Sequence, residues 1–123
     1  MRLCMLFAVF VLSIDAVHGA EARTTVPAQF LGLWASSEEA CRMGGESTLR
    51  IFEDEIHFYA SHGPILGVAT EGERELALII EATGEGSTWL DIRKFELSAD
   101  ANELTDVTVG RYPNTRLRCP ASE

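Results

Sequence analysis

The chain is poor in lysine. Lys94 is the single lysine among 10 basic residues, set against 19 acidic ones, for a formal net charge of −9. A surface of that sign repels nucleic acid and anionic lipid, so neither is expected as a partner. The chain also lacks an apolar run long enough to cross a bilayer. Its longest, "LCMLFAVFVL" at residues 3–12, is half the roughly 20 residues that a spanning helix needs. Cysteine is scarce, three in 123 residues, and no C-x-x-C spacing is present, which removes a thioredoxin-type redox centre. A nucleophile elbow, a phosphate loop, an H-E-x-x-H zinc motif and an EF-hand loop are all missing.

What the N-terminus does contain is a secretory leader. Arg2 supplies the positive start, the apolar run follows, and small residues end it in "AVHGAEA". That order predicts a signal peptide over residues 1–20, cleaved after Gly19, Ala20 or Ala22; the alternative is a buried N-terminal helix. No small-residue lipobox precedes a cysteine near the cleavage region. No stable membrane anchor is therefore expected after cleavage, and the expected location is the periplasm of a Gram-negative bacterium or the medium. Removing Arg2 and Asp15 leaves 9 basic and 18 acidic residues. The remaining length suits one domain, over residues 30–120, preceded by a flexible arm at 21–29.

Two cysteines survive cleavage, Cys41 and Cys119. An even count in an exported chain predicts a disulfide; the alternative is two free thiols. Closing a loop of 78 residues would stabilise the domain by about 4.5 kcal/mol in the chain-entropy picture. That is comparable to the whole net stability of a small domain.

Past Gly44-Gly45 the apolar residues alternate with period two. "STLRIF", "IHFYA", "ILGVAT", "ELALIIEA", "TWLDIRKFELS", "LTDVTVG" and "TRLRC" each read as a short strand, separated by turns such as "SHGP", "EGER", "TGEGS" and "ADANE". The fold class is all-β: a small antiparallel meander barrel or sandwich. One helical turn is expected near residues 36–41, with Ser36 as N-cap and Glu39 completing a capping box. In "TWLDIRKFELS", Leu90 and Ile92 have one parity and Phe95 and Leu97 the other. This predicts a bulge or break near Arg93-Lys94, because a one-residue slip exchanges the two faces.

"FLGLWASSEEAC", Phe30 to Cys41, carries a resemblance. A G-x-W just before the first strand of an exported all-β chain resembles the opening of lipocalin-like, or calycin, barrels. The resemblance implies that Gly32 and Trp34 plug the closed end and that Arg116 or Arg118 packs across the indole. The same stretch is similar to the bacterial metalloprotease inhibitor family, whose members are exported barrels of this size. "FLGLW", "GEGSTW" and "RCP" also resemble positions shared by small exported bacterial proteins, a resemblance that brings no function with it.

Candidate chemistry is sparse. His57 and His62 lie beside Glu53, Asp54 and Glu55, five potential metal ligands in ten residues; the competing reading is a solvated hairpin, and no metal or other cofactor is expected. Glu71, Glu73 and Glu75 would share a face in an extended segment and could support acid–base work, or simply form a solvated edge. Tyr59, Trp89 and Tyr112 are candidates for a recognition surface, or for a cross-strand aromatic cover. The expected function is that of an exported, non-catalytic binding module, of interaction or inhibitor type, whose partner is a protein or a small molecule. The alternatives are a carrier of a small apolar ligand and an enzyme using the clustered carboxylates or histidines.

Overall fold

The structure, a computed structural model, describes residues 19–121. All but the last two residues of the expected signal peptide lie outside the described residues. Nine strands lie among the described residues: β1 (Glu21–Arg23), β2 (Gly32–Ala35), β3 (Leu49–Ile51), β4 (Glu55–Phe58), β5 (His62–Glu71), β6 (Glu75–Gly84), β7 (Ser87–Leu97), β8 (Glu103–Asp106) and β9 (Asn114–Arg118). A 3₁₀ turn covers Ala28–Phe30, and one helix, α1 (Glu38–Met43), sits between β2 and β3.

Strands β2 to β9 pair antiparallel in chain order, and β9 returns to β2, so the sheet closes on itself as an eight-stranded up-and-down barrel. Closure removes the exposed edges that an open sheet would present. The ninth strand, β1, adds to the outer part of β5, with Glu21 opposite Thr70 and Arg23 opposite Val68. The segment expected to be a loose arm is thus partly paired. It is further tied by Val26, which is buried and donates its amide to the Glu53 carbonyl at 2.9 Å.

Period-two patterning explains the core. Leu49 and Ile51 from β3, Ile56 from β4, and Leu76, Leu78, Ile80 and Ala82 from β6 all point inward. They meet Phe95 and Leu97 from β7 and Leu104 from β8 in one cluster around Phe30 and Trp34. Ile79, on the other face of β6, is exposed, so that strand is covered on one side only.

Strand β7 departs from expectation. Its register with β6 runs without a slip from Glu75 opposite Glu96 to Gly84 opposite Ser87. There is no bulge at Arg93-Lys94. The parity conflict is resolved differently: Phe95 and Leu97 keep the inner face, and Leu90 and Ile92 lie outside, 68% and 64% exposed. The irregularity sits instead in β5, where the register with β6 shifts between Ile65 and Gly67.

Local chemistry sets the turns. The β6–β7 hairpin has two central residues, Glu85 and Gly86, both at positive φ (50° and 78°), the type I′ pattern whose twist matches paired strands. A side chain at Gly84 would collide with the Ala60 carbonyl oxygen, 2.5 Å from an added Cβ. Helix α1 is capped by Ser37, not Ser36: the Ser37 hydroxyl accepts from the Ala40 amide at 3.1 Å. Ser36 is held by Ser47 instead, its hydroxyl 2.9 Å from that of Ser47. The helix is fastened to the barrel by the Cys41–Cys119 disulfide, which closes a loop of 78 residues.

Candidate functional site

The strand connections alternate between the two ends of the barrel, and the ends differ in chemistry. One end is shut. The 3₁₀ turn Ala28–Phe30 lies across it, with Phe30 and Trp34 both fully buried. The Trp34 indole Nε1–H donates to the Phe30 carbonyl at 3.1 Å. Arg118, directly opposite Trp34 in the β2–β9 register, lays its guanidinium 4.2 Å from the indole centroid. Its N–H groups donate to the backbone carbonyls of Gln29, Leu31 and Ala101. Gly32 adopts φ +118° at the turn into β2, a conformation that residues with a side chain rarely take. The spacing Gly-x-Trp therefore serves a bend followed by a plug. Arg118, and not Arg116, is the residue over the ring.

The opposite end is polar. Arg93 and Asp91 share the inner face of β7 with Phe95, two and four residues nearer the opening. Asp106 ends the inner face of β8, and Arg116 lies on that of β9, opposite Leu104. Arg93 donates from Nε to Asp91 at 2.9 Å and from Nη1 to Asp106 at 2.8 Å. Its guanidinium also stacks on Phe58 of β4, 4.3 Å from the ring centroid. The other Asp106 oxygen accepts from the Thr108 amide at 3.0 Å and hydroxyl at 2.5 Å. Arg116 donates from Nε to the Ser47 carbonyl at 2.7 Å. Its Nη1 is buried without an acceptor.

The electrostatics follow from these contacts. Burial pushes the Asp106 carboxyl up, but Thr108 and Arg93 together outweigh burial and hold it below the usual aspartate range. Burial lowers the pKa of Arg116; Asp106 works against that shift and Arg93 adds to it.

Above this cluster lies an open cleft of about 730 Å³, lined by Phe58, Tyr59, Arg93, Asp106, Tyr112 and Arg116, with Glu46 and Arg111 also on its wall. Tyr59 is 62% and Tyr112 96% exposed. Trp89, the third aromatic singled out from the sequence, borders a neighbouring cleft that shares Ala60 and Ser61 with the first. All three thus stand at the polar end. Their spread of 53 residues in sequence hid this juxtaposition.

The other clusters do not converge. His57 and His62 are cross-strand partners on β4 and β5, with rings 5.5 Å apart. His57 Nε2 already pairs with Glu55 at 2.7 Å. Glu53 and Asp54 lie in the β3–β4 turn at the closed end. Among the described residues, no three histidines, cysteines or carboxylates are gathered around a common point. Glu71 and Glu75 face each other across the β5–β6 hairpin, and Glu73 sits in its turn, so the three do not share an extended face. Among the described residues no helix is long and apolar enough to cross a membrane.

Asp91, Arg93 and Asp106 were not singled out from the sequence. The signal for two of them was available: counting back from Leu97 in steps of two reaches Phe95, Arg93 and Asp91. The exposed Leu90 and Ile92 outweighed it. Comparison with known proteins finds no matching family model, no matching curated protein and no matching solved structure.

Proposed function

We propose that this protein is an exported, non-catalytic binding module of the interaction type, and that it engages a partner protein through the polar end of the barrel. The observation that carries this reading is the placement of Tyr59, Tyr112 and Trp89 around clefts at one end, exposed and without a core to fill. Exposed aromatics that border a cleft are characteristic anchors of protein interfaces. The filled interior weighs against a carrier of an enclosed apolar ligand, because Trp34, Phe30, Phe95 and the aliphatic side chains occupy the space such a ligand would need. An enzyme is less well supported, since the buried Asp106 is engaged on both oxygens and held in its charged form.

The eight up-and-down strands and the Gly32, Trp34 and Arg118 arrangement are compatible with the lipocalin-like resemblance. An inhibitor acting through a free N-terminal arm gains no support, because residues 21–23 are paired to β5. The test is affinity capture from periplasm or medium with the mature protein and with a Tyr59→Ser, Tyr112→Ser variant, read by mass spectrometry. A protein enriched by the parent and lost with the variant is the expected result. Capture indifferent to the variant, or a small molecule co-purifying in native mass spectra, overturns the reading.

A further inference from the structure

We infer that the polar end is built to take a carboxylate carried on an apolar body, with Arg116 as the residue that receives it. This rests on the reading of that end as the binding face and names the chemistry it selects.

Among the described residues, two inward arginines lack a carboxylate partner, Arg116 and Arg118; Arg118 is satisfied by three backbone carbonyls, which leaves Arg116. Arg93 is neutralised twice over, by Asp91 and Asp106. Arg116, only 6% exposed, has no carboxylate within ion-pair distance among the described residues. It spends Nε on the Ser47 carbonyl, and its Nη1 finds no acceptor. A buried guanidinium with an unsatisfied N–H and no ion-paired carboxylate is costly, and native proteins rarely leave one. Shortage of acid does not explain it, because the chain carries 19 acidic residues against 10 basic ones. The rule is broken in the wall of an aromatic-flanked cleft of about 730 Å³, where exceptions are expected to be functional.

The surroundings limit what fits. A guanidinium presents a planar fork that matches a carboxylate. Phe58, Tyr59 and Tyr112 supply apolar walls. Asp106 and Glu46 in the same cleft offset Arg93 and Arg111, leaving one net positive charge at Arg116, which favours a monoanion over inorganic phosphate. A free apolar acid and a carboxylate presented by a protein share this chemistry.

Calorimetric titration of the mature, disulfide-closed protein separates the possibilities. The probes are 4-phenylbutyrate, its neutral amide and inorganic phosphate. The acid is expected to bind at least about tenfold more tightly than the amide, and phosphate is expected neither to bind nor to compete. Arg116→Gln should erase the acid preference, whereas Tyr112→Ala should weaken acid and amide together and keep their ratio. Because Arg116→Gln also loses the bond to Ser47, the parent protein supplies a second measurement. Its Arg116 side-chain resonances should shift with the acid and stay in place with the amide.

Equal binding of acid and amide, no binding of either, or displacement of the acid by phosphate overturns the inference. If the tyrosine variant still loses its captured protein while acid and amide bind alike, the binding face stands and the role of Arg116 falls. If capture ignores the tyrosines but the acid preference holds and 4-phenylbutyrate releases nothing captured, the ligand is a free acid and the protein-partner reading falls.

Discussion

The Arg118 guanidinium sits 4.2 Å from the centre of the Trp34 ring, and the two residues are direct partners across the β2–β9 pair. The pair joins the two strands whose pairing closes the barrel, so it does more than cover an end. Arg118 also gathers three carbonyls, from Gln29, Leu31 and Ala101. Those carbonyls come from the segment before β2 and the loop before β8. Trp34→Ala should cost about 3–5 kcal/mol, as for other truncated core aromatics. Arg118→Lys should also destabilise, because an ammonium cannot reach three divergent acceptors in one plane. Denaturant melts of both variants check this; a loss below about 1 kcal/mol for Trp34→Ala would mean that the plug carries little of the fold.

The disulfide gives a second prediction. Cys41 lies on α1 and Cys119 just beyond β9, 78 residues apart. Alkylation of the unreduced mature protein should leave both cysteines unlabelled, and reduction should add two labels. The reduced protein should lose up to about 4.5 kcal/mol of stability. Two free thiols in the native protein would contradict the closed loop.

A third prediction concerns acid. Asp106 has a folded pKa below the usual aspartate value of 3.8, with Thr108 and Arg93 overcoming burial. Such a group contributes stability that is fully present above its unfolded pKa and is lost as pH falls through the lower folded value. Asp100 is displaced the same way, chiefly by the Ser98 hydroxyl and the Asn102 amide. Stability should therefore hold down to about pH 4 and fall below it. Asp106→Asn should lower stability at neutral pH by about 3 kcal/mol, near the lower end for breaking a buried pair because Asp91 still holds Arg93. It should also flatten the acid limb. An acid limb unchanged in the variant would rule Asp106 out as its source.

How much of this was legible beforehand depends on whether one residue type or several had to be weighed. Period-two patterning in Leu49 and Ile51, or Leu76, Leu78 and Ile80, led directly to strands, but Ala77 and Ile79 make the second face of β6 apolar too, so that it buries only one face was not legible. The closed end was legible because Gly32, Trp34 and an arginine near the C-terminus form a recognisable set. The cysteine pair needed only a count. The polar end was not legible, because its residues break the pattern that made the rest readable: Asp91 and Arg93 are inside while Leu90 and Ile92 are outside. Strands β1 and β2 were missed for another reason. β1 has three residues and no buried one, and β2 is short and begins at a glycine.

Strand β7 provides the last test. The sequence pattern with a bulge puts Leu90 and Ile92 inside the barrel. In the structure both point outward, and Ile92 lies opposite the exposed Ile79 on β6. Buried leucine or isoleucine truncations typically cost 2–5 kcal/mol each, about that range for full removal to alanine. Exposed ones that keep β-propensity usually change stability by less than about 0.5 kcal/mol. Threonine retains the branched shape that suits a strand, so a Leu90→Thr, Ile92→Thr double variant isolates burial from propensity. The expected loss is under about 1 kcal/mol, with unchanged denaturant slope. A loss of several kcal/mol would restore the bulge, turn Asp91 and Arg93 outward, and remove the paired cation from the barrel's polar end.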